Sequence, residues 1–147
     1  MPLDVNKILT PAMIRIVTDA TLKTKLGGTI QAAKGARRPT SMIGQKCFTV
    51  HVLSNNRDED SKAHNGTLLI NFYCSNYQNG NANVELMGPV SERLVWLFDD
   101  KPLAVTGWRV YDIHVQEPLG PLFDSEYPNE HFMSVRVRFG MIPNTII

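Results

Sequence analysis

Four histidines, two cysteines and a few carboxylate clusters are the residues of this sequence with chemistry to offer, and their spacing decides what they can do. His51, His64, His114 and His131 are scattered, with no partner cysteines at metal-ligand spacing. Asp112 and His114 stand two apart in an alternating segment, which puts a carboxylate and an imidazole on one side of a strand. That pattern describes a solvated or interfacial face more readily than a catalytic pair. Cys47 and Cys74 each fall inside an apolar alternating segment, without a C-x-x-C arrangement, and read as small buried hydrophobes. Asp58-Glu59-Asp60 gathers three carboxylates but lacks the regular alternation and following glycine of a calcium loop, so no metal site is expected there. No Gly-x-Ser-x-Gly elbow, P-loop or dinucleotide fingerprint occurs. The sequence therefore points to no catalytic residue and no cofactor.

Two stretches have the composition of binding surfaces. Lys34-Gly35-Ala36-Arg37-Arg38-Pro39-Thr40 is a basic loop, either simply solvated or in contact with a phosphate or an acidic partner. Trp108-Arg109-Val110-Tyr111 interleaves aromatic and basic residues, as a base-stacking platform does. The formal net charge of +1 and the lack of an RNP-type motif argue against a dedicated nucleic-acid module. No apolar run approaches the roughly 20 residues of a membrane span, and the N-terminus lacks a signal-peptide pattern. Cytoplasmic synthesis without a membrane partner is the expectation.

The elements that must position these residues centre on Gly66–Asp100. Leu68, Ile70, Phe72 and Cys74 point one way along a strand, and Thr67, Leu69, Asn71 and Tyr73 the other. Gln78-Asn79-Gly80-Asn81 breaks the strand. Spacings of three and four among Leu86 or Met87, Val90, Leu94 and Leu97 or Phe98 then give a helical face, with a first turn or kink over Asn83–Gly88 and a firmer helix from Pro89.

Upstream, Thr10 as N-cap and Pro11 at the first position predict a helix from Pro11 to Leu26, with Met13, Ile16, Val17 and Ala20 inward and Gly27-Gly28 as its stop. Thr29–Ala33 reads as a short strand and Gln45–Ser54 as the next, followed by the mobile polar hairpin loop Asn55–Asn65. Downstream, Thr106–Glu117 and His131–Ile142 read as strands that pair across the long loop Pro118–Pro128. The second strand turns Met133, Val135, Val137, Phe139 and Met141 inward and Arg136 and Arg138 outward. In the first, Trp108, Val110, Asp112 and His114 share one side. The apolar tail Pro143–Ile147 either docks on a neighbour or frays. The 147 residues are expected to form one α+β domain: a mostly antiparallel β-sheet packed by an N-terminal helix and a central helix.

This order of elements resembles that of the tail terminator and tail completion proteins of long-tailed bacteriophages. Leu69-Ile70-Asn71-Phe72-Tyr73-Cys74 is similar to their middle strand, Asn83–Phe98 to the helix that follows, and Gly107–Glu117 and His131–Ile142 to the closing strands. The resemblance spans about Pro11 to Ile142. Pro89 inside the helix and the longer, more apolar loop between the last strands depart from it.

The resemblance implies a structural virion protein of the tail or neck, not an enzyme, assembled in the host cytoplasm. It implies a homo-oligomeric ring, commonly a hexamer, that caps the tail tube, ends tail growth and joins the head–tail connector. DNA would pass through its lumen without specific binding. The expected interfaces are the basic loop with Arg37 and Arg38 and the hairpin loop with Arg57 and Asp58, toward connector, tube or lumen. The loop carrying Leu122, Phe123 and Tyr127 is expected to face the adjacent subunit, because exposed apolar groups often mark contacts. The alternatives are another neck protein (a head-completion or connector subunit), or an enzymatic or nucleic-acid-binding domain on the same scaffold.

Overall fold

Alternating apolar residues in the long strand segments, with shorter segments paired at their edges, build one six-stranded sheet. The computed structural model describes residues 3–144; the expectation for the apolar tail falls largely on residues 145–147, outside the described residues. The elements in chain order are α1 (Asn6–Val17), α2 (Ala20–Leu26), β1 (Gln31–Lys34), β2 (Cys47–Arg57), β3 (His64–Ser75), α3 (Val84–Phe98), β4 (Trp108–Val115), β5 (Leu119–Phe123) and β6 (Glu130–Pro143). Strand order is β1-β2-β3-β6-β4, with β5 also paired to β6. Every pairing is antiparallel except β1 with β2. This is the expected α+β architecture.

One face of the sheet is the core. Phe48 and Val50, then Leu68, Ile70, Phe72 and Cys74, then Met133, Val135, Val137, Phe139 and Met141, are buried together beneath the helices. The helices contribute Ile8, Ala12 and Ile16 from α1, Leu22 from α2, and Met87, Val90, Leu94 and Phe98 from α3, each set at helical spacing. The buried face of α1 thus lies one turn earlier than the Met13, Ile16, Val17 and Ala20 face expected from the sequence. Ala20 is exposed, and Met13 and Val17 are half-buried.

The expected single helix over 11–26 is two. Helix α1 begins at Asn6, with Pro11 in its interior rather than at its start. The carbonyl that Pro11 cannot engage belongs to exposed Lys7, where water can satisfy it. The break falls at Asp19, whose carboxylate caps α2 by accepting from the Leu22 N–H at 2.9 Å and also binds Arg93 at 2.7 and 3.0 Å. Arg93 holds this carboxyl below the usual range. Gly27, at φ +87°, ends α2 as expected. Helix α3 runs from Val84 to Phe98, capped by Asn83, so the residues before Pro89 form its first turn, one of the two forms expected for Asn83–Gly88. At its far end Arg15 donates to the carbonyls of Leu97, Lys101 and Pro102 at 2.7–3.0 Å, tying α1 to the chain leaving α3.

Three loops expected from the sequence are partly strand. Residues Asn55–Arg57 continue β2 and pair with His64–Gly66, and the tip is organised by Asp58, which accepts from the Asp60 N–H at 2.9 Å. The mobile hairpin loop thus reduces to a short turn. Leu119–Phe123 forms β5 on the edge of β6, where Pro121 needs no ladder hydrogen bond on its outer side. Lys34 belongs to β1, and its ammonium donates to Thr10 Oγ1 at 2.7 Å, so Thr10 is a strut rather than a cap.

A bulge between Val110 and Asp112 resets the alternation of β4. Val110 and Ile113 both face the core, while Asp112 and His114 face away. The single side expected for Trp108, Val110, Asp112 and His114 is therefore split at Tyr111. Trp108 is half-buried and meets His64 edge-on at 5.0 Å between ring centroids, so no open stacking platform forms.

His64 is the buried histidine of the set. Its Nδ1 donates to Asn55 Oδ1 at 2.9 Å, and its Nε2 is buried without a partner. Desolvation, helped by the nearby Arg57 charge, lowers its pKa from the ordinary value of 6.5. The unfolded chain then binds the proton more readily than the folded one, so stability falls as pH drops through about 6.5. Urea midpoints measured at pH 7.5 and 5.5 should show that loss, and His64→Phe should flatten it. An unchanged pH dependence in the variant would show that another group is responsible.

Candidate functional site

Among the described residues the second face of the sheet carries no α-helix, and at one end two of the expected interface loops fold over it. The 35–45 segment, with a 3-10 turn at Thr40–Met42, meets the turn that follows β5. Together they frame an open depression of about 550 Å³ lined by Arg37, Arg38, Tyr73, Phe123, Glu126 and Tyr127, among others. Four residues singled out in the sequence, Arg37, Arg38, Phe123 and Tyr127, thus come to one place from positions more than 80 residues apart.

Their roles differ. Arg38 is not a free cation. Its side chain is only 3% exposed, and its guanidinium binds Glu130 at 2.6 and 3.0 Å and reaches Asp124 at 3.5 Å. It stacks over Tyr73 at 4.0 Å and under Tyr127 at 5.3 Å. Burial works against the charged guanidinium, but the Glu130 hydrogen bonds and charge outweigh it, and the net shift is upward. Glu130 also accepts from the Gly44 N–H at 2.7 Å, so one carboxylate fixes both the arginine and the loop that carries it. Arg37 stays exposed at the rim.

On the other wall, Asp124 accepts from the N–H groups of Glu126 and Tyr127 at 3.0 and 3.3 Å, which shapes the turn. Leu122 is half-buried opposite Phe132. Phe123 is 62% exposed, with one edge against His131. An aromatic ring that open, on a turn anchored this firmly, is a preformed contact point.

Arg57 and Asp58 do not join this site. They sit at the far end of β2 from Cys47, about 30 Å away at the rise of an extended strand. Both are exposed, and Asp58's carboxyl is held below its usual pKa by the Asp60 N–H and its neighbours in the turn. Sequence reasoning missed Glu130 and Tyr73, which contact Arg38, and Gly44, whose N–H donates to Glu130. A carboxylate after Pro128-Asn129 looks like solvent-facing loop, and only the register of β6 reveals otherwise.

The cysteines are buried and free. Cys74 faces the main core and Cys47 the small cluster with Met42 and Tyr73 on the other face, so the two thiols point apart. Burial pushes Cys74 up to about 11 and raises Cys47, which suppresses the nucleophilic thiolate. His114 Nε2 lies 2.6 Å from Asp112 and its Nδ1 3.2 Å from Asp100, an exposed cluster of two carboxylates about one imidazole. Asp99, Asp100 and His114 bring ligand atoms within 4.8 Å of one another, but Asp99 Oδ1 already accepts from the Val115 N–H. Among the described residues no helix is long and apolar enough to cross a membrane.

No protein-family model matches the chain, and no curated protein matches it significantly. Solved structures do share its fold. A chain from the virion of a native gene transfer agent particle superposes with a TM-score of 0.66 at 11% identity, covering 92% of this chain and 94% of that one. A second solved chain gives a TM-score of 0.56 at 14% identity, covering 99% of both. At such identities the likeness is one of fold, and it extends over nearly the whole length of each partner.

Proposed function

We propose that this chain is a structural protein of a phage-type virion, and that within the particle it forms a ring that caps the tail tube, ends tail growth and joins the tail to the head connector. The observation that carries the proposal is the fold shared, nearly end to end, with a chain of a gene transfer agent virion. The element order that suggested a tail terminator supports the finer reading. The surface is consistent with a non-enzymatic role: the thiols are buried and the arginine in the depression is neutralised internally. A closed ring of identical chains needs a heterologous contact, one patch meeting a different patch on the next copy. Phe123 and the half-buried Leu122 and Tyr127 on the β5 turn provide one such patch, with Arg37 at its rim. Arg57 and Asp58, at the opposite end of the sheet, are placed to meet a second partner, tube or connector.

The test is assembly. Wild-type protein should form annular oligomers visible by negative-stain electron microscopy, alone or on purified tail tubes. Phe123→Asp should abolish them and leave the far-ultraviolet circular dichroism unchanged, because the exposed ring contributes little to the core. Rings that persist in the variant would remove β5 from the interface. A wild-type chain that stays monomeric even with tubes present would contradict the ring.

A further inference from the structure

Beyond the Arg38 clamp, the helix-free face of the sheet lies open, and the register of the strands gives it a definite charge pattern. Arg136 and Arg138 stand two residues apart on β6, about 6.6 Å at strand rise, and both are exposed. Neither guanidinium group has a hydrogen-bond or ion-pair partner among the described residues. Arg138 lies directly between Thr67 on β3 and His114 on β4, and Arg136 lies beside Leu69, which in turn pairs with His51 on β2. Arg109 is exposed on the side of β4 opposite to buried Val110, near the end where Tyr111 donates to Asn65 Oδ1 at 2.8 Å.

Away from the clamp, the carboxylates at this face are Asp112 on β4 and Asp100 close by, both gathered at His114, while the guanidinium groups of Arg109, Arg136 and Arg138 have no carboxylate partner among the described residues. The face therefore combines three arginines with amide and hydroxyl groups on a flat support. These are the groups that contact phosphate oxygens in protein–DNA interfaces. Core-facing alternation does not require this choice: solvent-facing strand positions accept any polar residue, and here those on the central strand are the same cation twice.

We infer that the open sheet face binds the phosphodiester backbone of double-stranded DNA without reading its bases, through Arg109, Arg136 and Arg138. The inference rests on the virion reading for the choice of DNA over another polyanion. It assigns to this face the side turned toward the DNA, and leaves the Phe123 turn and the Arg57 tip for protein contacts. Three contacts give weak, strongly salt-dependent binding, which suits a surface past which DNA must slide.

The experiment is fluorescence anisotropy of a labelled 30-base-pair duplex titrated with the full-length protein at several salt concentrations. The wild type should give a slope of log K against log salt of about −2.7, and Arg136→Gln/Arg138→Gln should reduce it to about −0.9 with weakened affinity. Lys23→Gln/Lys25→Gln, on exposed positions of α2 in the helical layer, should leave the slope unchanged. A wild type without salt-dependent DNA affinity, or an arginine double variant with the wild-type slope, would overturn the inference. Ring assembly of the same preparations keeps the two readings apart. Rings without DNA binding would sink only this inference, and absence of rings would remove the reading on which it rests.

Discussion

Arg38→Ala should destabilise the protein by about 3–5 kcal/mol, because it leaves Glu130 buried with its charge uncompensated. Glu130 is 2% exposed, and without Arg38 it keeps only the Gly44 N–H. Water must then enter the clamp to solvate the carboxylate, which loosens the loop over Tyr73. Two cation–π contacts go as well. Urea unfolding followed by intrinsic fluorescence would show the loss as a lower midpoint. The double variant Arg38→Met/Glu130→Leu should lose clearly less than the sum of its single changes, because it removes both charges together. A single-variant loss below about 1 kcal/mol would mean that the pair is solvated, contrary to its geometry. The same loop carries Arg37 to the rim of the depression, so the clamp also connects stability to the surface proposed for assembly.

Gly66→Ala should cost at least about 3 kcal/mol, the upper end for overpacking a sheet, although alanine is only one methyl larger. A Cβ at Gly66 would stand 2.1 Å from the carbonyl oxygen of Ser54 and 2.7 Å from the ring of Phe139. The ring can shift, but Ser54 is backbone of the neighbouring strand. Its carbonyl is brought there by the irregularity between Val52 and Ser54, where β2 carries one residue more than β3. Relief would require the β2–β3 hairpin to separate where it holds the Arg57–Asp58 tip. For a chain of this size the loss corresponds to about 6–12 °C in Tm. A Tm within 2 °C of wild type would show that the hairpin yields without strain.

The sequence made the centre of the sheet legible and left its edges and its clamp obscure. Leu68 to Cys74 and Met133 to Met141 alternate without interruption, and each predicted core residue in them is buried, because both strands are flanked by other strands along their length. Strand β4 lies at the edge, where an extra residue is tolerated. The bulge at Tyr111 moved Ile113 to the core face against the simple alternation. Leu119–Phe123 read as part of the long loop Pro118–Pro128, and edge pairing to β6 overrode that composition. Pro11 is a plausible first residue of a helix by local rules, yet burial of Ile8 extends the helix a turn earlier.

For the candidate site, Phe123 and Tyr127 were visible as apolar groups in a polar stretch. That Arg38 is neutralised was not. Its partner stands 92 residues away, and no local pattern encodes a pairing of that range.

The most direct test of the account is electron microscopy of particles assembled in the absence of this protein. The account predicts overlong tails, or finished tails beside heads they have not joined. Full heads that leak their DNA would relocate the protein to the head side of the neck. Normal, joined particles with tails of the usual length would contradict a structural role in the tail.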